Sequence, residues 1–276
     1  PGADYAMWWS ASQILDFLRF MRPMMDREGL KDVGLTNGES SQWALFSSWV
    51  APDLIADPVA IKNLALITSH GFGTGSLINS LGIDTVRVLR PDLHAWNTSM
   101  NVAPFADNVW IDQVRQNIYN AKVNGIIPWS VVCSDPWSER GMAPKWNDWV
   151  GTGIWVDRKG GYSLEGYYLL KHVFRAGQPG MAVAEVSSSD PNIGLIAFAR
   201  NGSRNPDALV VNNLAGRGNR EVAIRVSGTN AQTFDAFLTD PSRRLKYDPI
   251  GAVSLSNGVL KCIVPGKSVI TFIAKQ

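Results

Sequence analysis

In the first half of the chain, polar and aromatic residues gather at the ends of short apolar runs. Asn37, Glu39 and Trp43 follow one run, His70 and Phe72 a second, Asn97 and Ser99 a third, and Trp129, Ser130, Asp135 and Trp137 a fourth. Carboxylates and an imidazole can carry protons, amides and hydroxyls hydrogen-bond without charge, and an indole presents a broad apolar face. The set holds few positive charges, so it lacks what a phosphate substrate needs. Its His and carboxylates do not have zinc-site spacing, and neither a metal nor a cofactor is expected. Neutral donors and acceptors beside indole faces suit a neutral polyol, which means a carbohydrate. The eleven Trp, against six Tyr and ten Phe, agree with that reading but suit any core as well. Each residue also has an ordinary alternative. A His at a strand end is often a structural hydrogen-bonder, Glu39 lies in a turn where a solvated carboxylate is common, and Trp129 sits on an apolar strand.

The elements that must position these residues alternate. Residues 32–36, 65–68, 93–96 and 125–132 are compact and apolar and read as strands. Between and around them, 10–27, 57–64, 109–123 and 163–175 have helical spacing; in 109–123 Trp110, Val114, Ile118 and Ala121 share one face. Pro58 falls in the first turn of its helix, where a missing N–H costs nothing. A stretch rich in Trp and Gly, 134–161, reads as a long loop. From Met181 the texture changes to short alternating strands at 182–186, 193–199, 208–212, 221–226, 233–238, 252–256, 259–264 and 268–274, separated by Gly, Asn, Asp and Pro. The expected class is α/β plus all-β: four β/α units, half of a (β/α)8 barrel, over 1–178, then an antiparallel β-sandwich over 179–276. Such a half-barrel exposes strand edges and an apolar face, so a separate N-terminal half-barrel chain is an expected partner. An open doubly wound sheet competes, but no Gly-rich phosphate loop follows any strand.

The 276 residues are 45% hydrophobic and 18% charged, which suits a globular core. A net charge of +2 gives no reason to expect nucleic acid or an anionic membrane surface as partner. No apolar run approaches the roughly 20 residues of a membrane span. Cys133 and Cys262 fall in different expected domains, so a disulfide between them is not expected. The first residue is Pro1 and no signal core follows, which leads us to expect a processed chain or a fragment.

The strand ends and their order resemble glycoside hydrolase family 30, which includes glucosylceramidases, glucuronoxylan xylanases and β-1,6-glycanases. The opening Pro1-Gly2-Ala3-Asp4-Tyr5-Ala6 with Trp8-Trp9 is similar to the segment that follows the family's Asn-Glu-Pro motif on strand four. Gly38-Glu39-Ser40-Ser41 resembles the end of strand five, Asp57-Pro58-Val59-Ala60 the helix before strand six, and Thr68-Ser69-His70-Gly71-Phe72-Gly73 the end of strand six. Ala95-Trp96-Asn97-Thr98-Ser99 is similar to the end of strand seven, Trp129 to the site tryptophan of strand eight, and the 167–174 helix and the 268–272 strand to later parts of the family's fold. The resemblance implies strands five to eight of the barrel, a retaining hydrolysis of β-linked glycans, and a secreted or periplasmic location. It places the acid/base Glu just upstream of Pro1. It also places Ser99 where the family's nucleophile Glu belongs.

Retaining glycosidases use two carboxylates roughly 5 Å apart, one as acid/base and one as nucleophile. A Ser hydroxyl is uncharged at neutral pH and reaches less far, and no base adjoins Ser99 in the sequence. Three accounts stay open: an engineered Glu→Ser change, a natural loss that leaves a glycan-binding barrel, or a shifted mechanism in which Glu39 or Asp135 is the carboxylate. His70, Trp43, Trp129, Asn97, Asp135 and Trp137 are the expected substrate contacts, with an oligo- or polysaccharide as ligand. The rival class is a non-catalytic carbohydrate-binding or scaffold protein derived from the same fold.

Overall fold

A computed structural model describes residues 9–101, 108–129, 131–134, 153–156 and 159–275. Contacts gather them into two compact units, one made of the described residues of 1–100 and 116–128, the other of those of 101–115 and 129–276.

The first unit opens with helix α1, Ala11–Arg27. Ser10 caps it by accepting from the Gln13 backbone while the Gln13 side chain accepts from the Ser10 N–H, which satisfies two otherwise orphaned donors. Leu15, Leu18 and Met25 form its buried stripe, whereas Phe20 stays exposed. After β1, Leu35–Thr36, come two short helices, α2 (Trp43–Leu45) and α3 (Ala51–Ile55), joined by a π-helical turn over Phe46–Val50. Helix α4, Pro58–Asn63, leads into β2, Leu64–Ser69. Helix α5, Leu81–Leu89, precedes β3, His94–Asn101, and α6, Val109–Asn120, precedes β4, Gly125–Trp129. On α6, Trp110, Val114 and Ile118 are buried as their spacing requires, and Ala121 is buried just beyond its end.

These strands form one sheet in the order β1-β2-β3-β4. The β1–β2 and β2–β3 pairs are parallel, with Thr68 opposite Trp96 and Ser69 opposite Asn97. Along β3 the burial alternates with the two-residue period of a strand: Ala95 and Asn97 are buried, His94 and Trp96 exposed.

In the second unit, β5 (Val132–Ser134), β6 (Ile154–Val156) and β7 (Tyr162–Ser163) make a small sheet, of which β6 lies wholly inside the 134–161 stretch expected to be loop. Helix α7, Glu165–Ala176, follows. Then come β8 (Ala182–Ala184), β9 (Ile193–Ala199), β10 (Ala208–Asn213), β11 (Arg220–Arg225), β12 (Thr233–Asp240), β13 (Leu245–Ser254), β14 (Val259–Val264) and β15 (Val269–Ala274). Six strands pair as β13-β12-β15-β10-β9-β8, and β11 pairs with β14 in an antiparallel two-stranded sheet. Leu209, Val211, Phe234, Leu260, Ile270 and Phe272 anchor the apolar core of this unit. Cys262 is a free thiol, and burial pushes its pKa up to about 11.

Helix α7 packs against β15, β10 and β13, within the second unit. Its His172 is fully buried, with Nδ1 and Nε2 each 2.7 Å from a hydroxyl, that of Thr271 and that of Thr239.

Candidate functional site

The ends of β1, β2 and β3 bring Glu39, His70 and Ser99 into one neighbourhood of the first unit. The backbone ties are direct: the N–H of His70 donates to the Ser40 carbonyl at 2.8 Å, and that of Phe72 to the Ser41 carbonyl at 2.9 Å. Asn37 is buried and its amide is used up beside β2, donating to the Thr68 carbonyl and accepting from the Thr68 N–H. Asn37 is therefore a brace between strand ends.

Above this brace Glu39 is exposed, and its Oε2 accepts a hydrogen bond from the Thr98 hydroxyl. His70 is half-buried, its Nδ1 lies 2.8 Å from the Thr98 carbonyl, and its ring stacks on Phe72. A carbonyl can only accept, so Nδ1 carries the proton and Nε2 of the neutral ring is left as the acceptor. Ser99 follows with φ of 58°, a left-handed backbone that side-chain-bearing residues seldom adopt and that collects at functional sites.

Two expected sugar contacts are corrected by burial. Trp43 and Asn97 are both at 0% exposure, so neither can touch a ligand. The Trp43 indole N–H instead donates to the side-chain oxygens of Asn97 and Asn117, at 2.8 and 2.9 Å. Asn117 in turn donates to the Gly71 carbonyl at 3.2 Å. Gly71 has a φ of 67°, and a Cβ there would stand 2.5–2.6 Å from the two asparagine amides, so only glycine fits over this buried polar knot. The knot fixes β3 from beneath.

Trp129 ends β4 and is 42% exposed. Asp135 and Trp137 lie outside the described residues. Among the described residues no group of three His, Cys, Asp or Glu side chains is arranged to hold a metal ion, and no helix is long and apolar enough to cross a membrane. Thr98, Asn117 and Gly71 carry no chemical signature in a sequence. Only the positions of Thr98 beside Ser99 and of Gly71 beside His70 point to them.

The fold is similar to part of that of solved glycoside hydrolase family 30 structures. The chain is similar to a family 30 endoxylanase from Clostridium papyrosolvens C71, with a TM-score of 0.73, 15% identity, and coverage of 99% of this chain and 62% of that one. It is similar to a family 30 subfamily 8 xylanase from Clostridium acetobutylicum, with a TM-score of 0.76, 16% identity and coverage of 100% and 63%. The catalytic domain of family 30 xylanase C from Talaromyces cellulolyticus gives 0.72, 18%, and coverage of 100% and 60%. The chain thus spans about three fifths of the length of these structures. No protein-family model matches the sequence, and no curated protein matches it by sequence.

Proposed function

We propose that this chain is the C-terminal half of a (β/α)8 barrel, with β1 to β4 as barrel strands five to eight, joined to an antiparallel β-sandwich. It handles β-linked glycans at the C-terminal ends of those strands. The observation that carries the reading is the match of essentially the whole chain to three fifths of family 30 xylanases. The parallel register of β1 to β3 and the collection of Glu39, His70 and Ser99 at one end of them support it. In this reading the parent is a glycoside hydrolase with a retaining mechanism, and the missing acid/base belongs to an N-terminal half, supplied upstream or as a separate chain. Ser99 occupies the nucleophile slot, Glu39 is the spare carboxylate, and His70 and Trp129 contact the sugar, with Asp135 and Trp137 as further contacts. Action on a polymeric glycan implies secretion or a periplasmic location. This chain alone is inactive as a hydrolase.

The second reading, a carbohydrate-binding protein without turnover, is favoured by Ser99 itself. The knot under β3 is complete although the residue it presents has no carboxylate. The test combines this chain, as parent and as Ser99→Glu, with an N-terminal half carrying an Asn-Glu strand end, and assays aryl β-xyloside and xylan hydrolysis. Turnover by Ser99→Glu and not by the parent supports the hydrolase ancestry. Saturable binding of xylohexaose without turnover in either form selects the binding reading, and neither binding nor turnover defeats both.

A further inference from the structure

The residue that organises this site was not singled out by its chemistry. Thr98 holds two groups at once: its hydroxyl donates to Glu39 Oε2, and its carbonyl accepts from His70 Nδ1 at 2.8 Å. The mount beneath it is rigid. Asn97, one residue before, is fully buried and pinned by the Trp43 indole, and Ser99, one residue after, takes the left-handed turn that ends the regular alternation of β3. An exposed glutamate would otherwise sample several rotamers, each lost at a cost in conformational entropy.

We infer that Thr98 is a positioning residue that aims the Glu39 carboxylate into the strand-end site and registers it against His70. The inference rests on the reading of this neighbourhood as the glycan site, but its test does not need turnover. A hydroxyl that holds a carboxylate restricts its rotamers, so removing it lets the Glu39 side chain average over more of them. A side chain that merely fills space would leave that distribution where it is.

The experiment measures the Glu39 side-chain rotamer distribution by NMR, from three-bond couplings and from cross-relaxation between the Glu39 γ protons and those of residue 98, in the parent chain, Thr98→Val and Thr98→Ser. The imidazole nitrogen signals of His70 are read in the same samples. Thr98→Val keeps the shape and removes the hydroxyl, whereas Thr98→Ser keeps the hydroxyl. The expected result is one dominant Glu39 rotamer in the parent and in Thr98→Ser, and averaging over several in Thr98→Val, with His70 keeping its Nδ1–H tautomer in all three. Identical Glu39 distributions in parent and Thr98→Val would overturn the inference, as would failure of Thr98→Ser to restore the parent distribution. Xylohexaose is then added to the parent. If the Glu39 distribution responds to Thr98 but the sugar moves no resonance near Glu39, the positioning role stands and the glycan reading falls. If the sugar binds while Glu39 ignores Thr98, only the positioning role falls.

Discussion

His172 shows how a single side chain sets a property of the whole β-rich unit. Burial holds its imidazole at a pKa of about 3, with the nearby Lys171 charge adding to the effect. Both ring nitrogens meet threonine hydroxyls, so the neutral ring is fully satisfied, and a second ring proton would require the hydroxyl that donates to the ring to turn its own proton away. In the unfolded chain the same residue titrates near 6.5. Above that pH neither state is protonated and the contribution to stability is complete. As pH falls from about 6.5 toward about 3 the unfolded state takes up a proton that the folded state refuses, so stability is lost by about 1.4 kcal/mol per pH unit. Urea unfolding at pH 7.5 and pH 5.0 should therefore show a drop in the parent that exceeds the drop in His172→Gln by about 2 kcal/mol. Equal drops would contradict the assignment. Little of this was legible beforehand. The type of residue at each strand end singles out Glu39 and His70 as candidates, but the burial of Trp43, Asn97 and His172 depends on partners as far away as Asn117 and Thr271 in the chain. No local pattern reports a contact across 74 or 99 residues.

At the scale of elements, those with punctuation were readable. A serine before the apolar stripe of α1, either Ser10 or Ser12, and Pro58 in the first turn of α4 are start signals in the sequence; Ser10 and Asp57 are the residues that cap the two helices. The α2–π–α3 segment went unseen because its π-turn breaks the 3.6-residue period on which helix reading depends. Strand β13 begins at Leu245, seven residues before the expected 252, because register shifts, a positive φ at Tyr247 and Gly251, and Pro249 interrupt its alternation. Asp57 gives this scale its test. Its Oδ1 accepts from the N–H groups of Val59 and Ala60, and its other oxygen pairs with Arg19 of α1. The Ala60 hydrogen bond first, and the Arg19 charge next among the favourable causes, hold its carboxyl below the usual value against the opposing effect of burial. A depressed carboxyl stabilises above the unfolded pKa near 3.8, and that contribution disappears as pH falls through the folded value. Thermal and urea melts at pH 7 should place Asp57→Ala about 1–2 kcal/mol below the parent, with Asp57→Asn between them because asparagine still caps. An unchanged midpoint for Asp57→Ala would show that α4 needs no cap.

For the first unit as a body, the decisive feature is the set of strand side chains left exposed. His94 and Trp96 on β3 and Ile127 on β4 are exposed, Ile127 at 46%, and the Trp96 ring lies over Gly125, where a Cβ would come within 2.8 Å of it. A parallel sheet is ordinarily covered on both faces, because its crossover connections put helices or further strands there. Exposed aromatic and aliphatic side chains on such a sheet are what half of a closed barrel would present, and exposed apolar side chains of that kind favour association. The proposed N-terminal half would cover them. Two consequences separate this from a sheet that is stable as it stands. The chain alone should bind the dye ANS and sediment with concentration-dependent association at tens of micromolar, and Ile127→Ser should weaken both. Adding the N-terminal half as a separate polypeptide should remove the dye signal at one-to-one stoichiometry and raise the melting temperature, since a partner that binds only the folded state stabilises by mass action. A monomer without dye binding, indifferent to the added half, would mean that these exposed side chains belong to a finished surface and that the barrel reading of this sheet is wrong.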